Sequence, residues 1–85
     1  VNDGSTDHSK VILDEYAQKH PVIKLFHRAN EGVYPTRNFA IKQSSGAYIW
    51  MFDSDDYLLD GALDKVYQEV IENPELDILN LGYQI

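Results

Sequence analysis

The sequence predicts an α/β fold with a parallel sheet, because strand-like and helix-like segments alternate along its 85 residues. The clearest strand candidate is a run of six apolar or aromatic residues, 47–52, which is typical of a strand buried on both faces of a parallel sheet. The clearest helix candidate covers residues 61–72, where apolar side chains recur at the i, i+3, i+4 and i+7 spacing. These observations predict four strands separated by three helices, with right-handed crossovers.

The first half of the chain opens on the end of a strand at Val1, followed by a turn-rich stretch. Asp7 or Ser9 can cap a helix that reaches about Lys19. After a proline, residues 22–26 alternate around a lysine and contain β-branched side chains, which predicts the next strand. The first helix has one apolar face, which is formed by Ile12, Leu13, Tyr16 and Ala17.

The second half begins with a helix in which Pro35 suits the first turn and which reaches about Ser44. The apolar strand 47–52 follows. Asp60 is a good N-cap for the helix at 61–72, and residues 77–83 are the last predicted strand. The apolar stripe of the third helix consists of Leu63, Val66, Tyr67 and Val70.

The composition excludes several classes of function. The net charge is −7 and the basic residues are scattered, so we expect no nucleic-acid partner. The chain has no cysteine, which excludes disulfide scaffolds, thiol catalysis and thiolate zinc sites and fits a reducing compartment. No apolar run approaches the ~20 residues of a membrane span. We therefore expect a cytoplasmic location, either free or at the cytoplasmic face of a membrane through an attachment outside these residues.

An acidic cluster follows the predicted buried strand and consists of Asp53, Asp55 and Asp56. Ligands of parallel α/β sheets bind beyond the carboxyl ends of the strands, where this cluster is expected. Three neighbouring carboxylates repel one another, and a hard divalent cation such as Mg²⁺ or Mn²⁺ would offset that repulsion. A solvated acidic turn before a helix is the alternative, and the residues alone favour neither.

Three segments carry a family resemblance. Residues 1–7, V-N-D-G-S-T-D, resemble the V-[DN]-D-G-S-T-D signature of the inverting family 2 glycosyltransferases. Residues 30–38 resemble their N-x-G-x-x-x-A-R-N segment, with Thr36 where alanine is usual, and residues 46–56 resemble their G-x-Y-I-x-F-x-D-S-D-D strand and metal motif. Because all three occur in the family's order with a helix between each pair, the chain is identified as a member.

The resemblance implies a Rossmann-like GT-A fold that binds a nucleoside-diphosphate sugar together with Mg²⁺ or Mn²⁺. Asp3 matches the acid that contacts the donor base, usually uracil, whose N3–H a carboxylate can accept. Asp53 and Asp55 match the D-x-D pair, in which Asp55 is the direct metal ligand and Asp53 reaches the ribose or the metal. Arg37 matches the residue near the donor pyrophosphate. The alternatives are an Asx-turn at Asp3 and a surface ion pair between Arg37 and Glu31.

The resemblance also implies that this chain is an incomplete domain. In the family a strand and a helix precede the position of Val1, and the general base that deprotonates the acceptor hydroxyl lies beyond Ile85. We therefore expect no catalytic residue here and no transfer by these residues alone. The acceptor is a saccharide, a lipid-linked group or a protein. Apolar strand edges left uncovered would favour a homo-oligomer.

Two further functions are considered. One is a non-catalytic α/β module that binds nucleotide or metal, such as a receiver-like domain. Such a domain would lack segments like those at residues 1–7 and 30–38. The other is a remnant of an enzyme that still binds nucleotide. His8, His20 and His27 share no metal-ligand spacing and are interpreted as surface residues.

Overall fold

The computed structural model describes residues 1–82, in which three helices and two short strands are found. This is the α/β class that the sequence predicts. The chain divides into two compact units, one of residues 1–51 and one that begins at Phe52. No helix within residues 1–82 has both the length and the apolar character that crossing a membrane requires.

The first unit contains a parallel strand pair joined by a helix. Its elements are β1 (Asn2–Asp3), α1 (Ser9–Lys19), β2 (His27–Arg28) and α2 (Val33–Gln43). In the register of the pair, Asn2 lies opposite His27 and Asp3 lies opposite Arg28. The Asn2 N–H donates to the carbonyl of Phe26 at 2.8 Å. The β1–α1–β2 segment is therefore the βαβ unit expected of a parallel sheet.

Helix α1 ends at Lys19 as its sequence predicts, but the predicted cap at Asp7 or Ser9 is wrong, because neither residue occupies the N-cap position. The carboxylate of Asp7 accepts a hydrogen bond from the N–H of Ser9 at 2.9 Å, while the residue at the N-cap position is His8. The Ser9 hydroxyl, together with this N–H, lowers the pKa of Asp7. Lys19 lies in the last turn, where a cation interacts favourably with the helix dipole.

Helix α2 is likewise close to its prediction, with Pro35 in the first turn. Gly32 is the N-cap residue, and its φ of +93° is one that glycine adopts readily. At the other end the N–H and the hydroxyl of Ser44 both donate to the carbonyl of Ile41, at 3.2 and 2.6 Å. These bonds satisfy a carbonyl that the helix leaves without an intrahelical partner.

The strand predicted at residues 22–26 is wrong in position, because pairing uses only the carbonyl of Phe26 and the two residues after it. The N–H of Ile23 instead donates to His20 at 2.9 Å, so the chain is still turning there. Val22 is 88% exposed. A parallel ladder extends only as far as its partner, and β1 has two residues.

Two further strand predictions are also wrong within the described residues. No strand occurs at 47–52 or at 77–82, and Tyr83, the end of the second prediction, lies outside the described range. The apolar side chains of 48–52 are 41–51% exposed rather than buried. An apolar run becomes a strand only when a neighbouring strand accepts its backbone hydrogen bonds, and residues 1–82 contain no such neighbour for it.

The second unit contains α3 (Ala62–Glu72). The prediction that Asp60 caps this helix is wrong. Gly61 occupies the N-cap position with φ +77°, and the N–H of Ala62 donates to the carbonyl of Leu59 at 3.0 Å. This backbone turn satisfies a donor that a side-chain cap would otherwise serve. The apolar stripe of α3 is only partly covered, since Leu63 and Tyr67 are 60% and 67% exposed while Val66 and Val70 are half-buried.

Among residues 1–82, the one buried residue is polar. Asn2 is 7% exposed, and no described apolar residue is as buried. The aromatic packing of the first unit includes an edge-to-face contact between Phe26 and Phe39, whose ring centroids are 5.2 Å apart. The guanidinium of Arg28 lies 4.0 Å from the centroid of the Phe39 ring. Hydrogen bonds and this small cluster therefore hold the first unit together.

The turn after β1 approaches the loop before α2 closely at Gly4. This residue has φ +71°, and a Cβ placed on it would lie 2.6 Å from the backbone nitrogen of Asn30. Gly61 has a similar φ of +77° but has nothing within 4 Å of such a Cβ. A side chain at Gly61 would therefore meet backbone strain alone, whereas a side chain at Gly4 would meet the same strain and a steric clash as well.

We expect Gly61→Ala to lower the free energy of unfolding by ~1 kcal/mol, the cost of a left-handed residue with a side chain. Gly4→Ala should cost more, because the loop at Asn30 must also move. Urea unfolding of the full-length protein that carries this chain measures both. Equal losses for the two variants would contradict the close approach at Gly4.

Candidate functional site

The side chain of Asn2 organises the turn that follows β1. Its Oδ1 accepts hydrogen bonds from the N–H of Ser5 at 3.0 Å and from the Ser5 hydroxyl at 2.7 Å. A side-chain oxygen here takes the place of a backbone carbonyl and accepts from the residue three positions on, one position farther than in an Asx-turn.

Asp3 links the end of β1 to the start of α2. One carboxylate oxygen accepts the N–H of Glu31 at 2.9 Å, and the other accepts the N–H of Gly32 at 3.1 Å. The N–H of Glu31 is the largest cause of a lowered pKa at Asp3. The Thr36 hydroxyl, the N–H of Gly32 and the charge of Arg28 act in the same direction, whereas desolvation opposes them. The carboxylate therefore lies ionised at the positive end of α2.

The hydroxyl of Thr36 belongs to the same arrangement. Its oxygen is shielded from solvent and makes no full hydrogen bond with the described residues, yet the hydroxyl helps to lower the pKa of Asp3. Both observations fit a hydroxyl that faces the carboxylate at a geometry just short of a hydrogen bond. The departure from the family pattern at position 36 thus places a polar group beside Asp3.

Arg28 is a cation near Asp3 that no sequence motif singled out. Arg28 pairs with Glu31 at 3.1 Å, and its charge contributes to lowering the pKa of Asp3. Arg37, which the sequence assigned to the donor pyrophosphate, is an exposed residue of α2. The local sequence gave no signal for Arg28, because its position depends on the pairing of β2 with β1.

Asp53, Asp55 and Asp56 form one cluster in the second unit. A carboxylate oxygen from each lies within 4.8 Å of the others, and all three residues are exposed. The N–H of Asp56 donates to the carbonyl of Asp53 at 3.1 Å, which closes the turn that carries them. Oxygen donors at this spacing suit a hard divalent cation, so the residues fit Mg²⁺ or Mn²⁺. An acidic turn open to water has the same donors.

The structure assigns the predicted site residues to two groups. Asp3 and Arg37 lie in the unit of residues 1–51, and Asp53 and Asp55 lie in the unit that begins at residue 52. The carboxylate of Asp3 is held by backbone N–H groups 28 and 29 residues away in the chain, whereas a local backbone hydrogen bond from Asp56 to Asp53 closes the acidic turn. Contact of Asp3 with a base, and of Arg37 with a phosphate, stays a prediction.

Sequence reasoning missed two hydrogen bonds of the first unit. His27 is exposed, as the sequence indicates, yet its ring hydrogen-bonds to Asn2 at 2.9 Å and to Asp14 at 2.7 Å. The partners are 25 and 13 residues away in the chain, so no local pattern could reveal them. The strand register brings Asn2 and His27 together.

Comparison with known proteins identifies the class. Residues 1–82 match the Glycosyl transferase family 2 model. The chain is 37% identical over 98% of its length to the uncharacterized glycosyltransferase EpsJ of Bacillus subtilis, of which it covers 24%. It is 40% identical over 93% of its length to the minor teichoic acid biosynthesis protein GgaB of the same bacterium, of which it covers 9%. The chain belongs to glycosyl transferase family 2.

A third relative agrees with this assignment. The glycosyltransferase GlyG of Streptococcus pneumoniae is 34% identical over 85% of this chain, which covers 24% of GlyG. The chain thus spans about a quarter or less of the length of these relatives. No solved structure matches it.

The hydrogen bonds to Asp3 predict a stability that depends on pH. A carboxyl group whose pKa is lowered by folding stabilises the fold above its unfolded pKa, and this contribution is lost as pH falls through the folded pKa. Below the ordinary value of 3.8, wild-type stability should therefore fall more steeply than that of Asp3→Asn, which does not titrate.

Urea midpoints of the full-length protein between about pH 5 and pH 3 measure the difference, since acidic groups titrate in this range. Asp60→Asn removes a carboxylate outside the hydrogen bonds of Asp3 and should keep the wild-type slope. Equal slopes for Asp3→Asn and the wild type would contradict the arrangement.

Proposed function

We propose that this chain is the donor-binding segment of a GT-A glycosyltransferase. The enzyme would transfer a sugar from a nucleoside-diphosphate sugar, most simply a UDP-sugar, to a hydroxyl acceptor with inversion. Membership of family 2 supports sugar transfer in general. The observation that carries the donor site is the cluster of Asp53, Asp55 and Asp56 on one exposed turn.

In this proposal Asp55 ligates the divalent cation directly, and Asp53 contributes to the metal or to the ribose. Mg²⁺ and similar cations are commonly held by one or two carboxylates together with substrate phosphate oxygens. When bound, the cation would neutralise charge on the diphosphate leaving group. The exposure of the three carboxylates supports this role, because the remaining coordination positions stay accessible to phosphate and water.

Asp3 would bind the base of the donor. A carboxylate has about four lone-pair positions, and the N–H groups of Glu31 and Gly32 use two of them. An oxygen fixed in this way can still accept the N3–H of uracil, and the lowered pKa keeps it an acceptor. Arg37 would contact the pyrophosphate, for which a guanidinium is suited.

Acceptor and general base would come from outside this chain. The acceptor is a saccharide, a lipid-linked group or a protein, and the name of GgaB, a minor teichoic acid biosynthesis protein, supports assembly of a polymer. A direct displacement with inversion requires a base that removes the proton of the acceptor hydroxyl. The coverage of a quarter or less of the relatives supports placing that base elsewhere in the enzyme.

Substitution of Asp55 tests the metal site. We expect the full-length protein to bind UDP in a Mn²⁺-dependent manner and Asp55→Ala to weaken this binding at least about tenfold, because a direct ligand is lost. Calorimetric titration with and without Mn²⁺ measures the effect. Asp60→Ala removes a carboxylate outside the cluster and should bind as the wild type does.

The same titration separates the enzyme from its alternatives. Metal-independent binding, or equal affinity of Asp55→Ala and the wild type, would refute the metal site. A folded protein that binds none of UDP, GDP and CDP would mean that the segment is retained as architecture only. Binding without sugar transfer would favour the remnant or the nucleotide-binding module.

The isolated 85-residue chain should lack transferase activity and should self-associate. The reason for association is the uncovered apolar surface, such as the stripe of α3 with Leu63 and Tyr67. Light scattering and a sugar-transfer assay on one preparation measure both properties. A clean monomer at high concentration would refute the association, and detectable transfer would refute the need for an external base.

A further inference from the structure

A chain of hydrogen bonds connects three elements of the first unit through His27. Asn2 Nδ2 lies 2.9 Å from His27 Nδ1, and His27 Nε2 lies 2.7 Å from Asp14 Oδ1. Asn2 belongs to β1, His27 to β2 and Asp14 to α1. The histidine therefore bridges the strand pair and the crossover helix.

The positions of the protons in this series of hydrogen bonds follow from which atoms can donate and which can accept. Asn2 Oδ1 accepts both the N–H and the hydroxyl of Ser5, so the amide NH₂ faces His27. An NH₂ group only donates, and therefore His27 Nδ1 must accept. The proton of the neutral imidazole then resides on Nε2, which donates to the carboxylate of Asp14.

The imidazole of His27 helps to hold Asp3 in place through its hydrogen bond to the neighbouring Asn2. Asn2, 7% exposed, is the one buried residue among residues 1–82, and it precedes Asp3 directly. The strand pairing has two residue pairs, Asn2 with His27 and Asp3 with Arg28. A change at the first pair must therefore disturb the second, and with it the carboxylate that is held by Glu31.

We propose that His27, as the neutral Nε2–H tautomer, is a positioning residue for the donor-base site and that its protonation releases that site. The inference rests on the proposed function, in which Asp3 contacts the base. Protonation puts an N–H on Nδ1, where it faces the NH₂ of Asn2, so two donors oppose each other. Asn2 cannot invert, because its NH₂ would then face the N–H of Ser5.

The charges around His27 do not remove this conflict. Asp14 on α1 and Asp3 on β1 attract an imidazolium, whereas Arg28 on β2 repels it. All three act on the charge of the ring as a whole. The opposition of donors at Nδ1 is local and persists whichever effect is larger.

Three variants of the full-length protein isolate the role of His27. His27→Gln retains an oxygen acceptor and an N–H donor on one side chain, but a glutamine has no proton to gain or lose as the pH changes. His27→Phe removes both. His8→Gln makes the same chemical change at an exposed histidine outside the hydrogen-bond chain and serves as the control.

Nitrogen-15 NMR of the imidazole tests the tautomer without any donor ligand. In the neutral ring we expect the proton of His27 on Nε2 and none on Nδ1. Protonation at Nδ1 in the neutral ring would overturn the proposal, whatever the protein binds.

Calorimetric titration with UDP and Mn²⁺ across the range in which imidazoles titrate tests the positioning role. Relative to His27→Gln, wild-type affinity should fall about tenfold on acidification, the effect of one lost hydrogen bond. His27→Phe should be about tenfold weaker throughout, and His8→Gln should follow the wild type. The ratio to His27→Gln cancels titration of UDP itself.

Identical pH profiles of the wild type and His27→Gln would overturn the inference. If His27→Phe does not fold, the comparison with His27→Gln still decides. A folded wild type that binds no UDP would overturn the proposed function and the positioning role with it, whereas the NMR measurement would still report the tautomer.

Discussion

The hydrogen bonds of Asn2 are the constraint on which the first unit depends. Its amide oxygen shapes the turn after β1, and its amide nitrogen connects to His27 on the paired strand. Because no described apolar side chain is fully buried, this polar group supplies the specificity that a core would otherwise provide. The two-residue parallel pair and the placement of Asp3 both follow from it.

Local order was predictable from the sequence, and long-range pairing was not. The end of α1 and the position of Pro35 in α2 follow from apolar periodicity and from the placement of prolines, which act within a few residues. The predictions of strands at 47–52 and 77–82 were wrong because a strand needs a hydrogen-bonded partner strand, and the described residues offer none. The prediction of a cap at Asp60 was wrong for a different reason, since the turn at Gly61 gives the N–H of Ala62 a backbone carbonyl as its acceptor.

The candidate site divides in the same way. The cluster of Asp53, Asp55 and Asp56 could be found from sequence because its members lie within four positions of one another. The hydrogen bonds of Asp3 could not, because Glu31 and Gly32 are 28 and 29 residues away. One carboxylate therefore connects two segments that resemble family signatures, at residues 1–7 and 30–38. This connection gives those segments a shared structural task in addition to any contact with a ligand.

The most direct test of the account is a crystal structure of the full-length protein with UDP and Mn²⁺, in which anomalous scattering locates the metal. The account predicts Mn²⁺ on the carboxylate of Asp55, the uracil N3–H on Asp3, and Asp3 still bonded to the backbone of Glu31 and Gly32. A metal bound away from the turn of residues 53–56, or a base that does not contact Asp3, would contradict it.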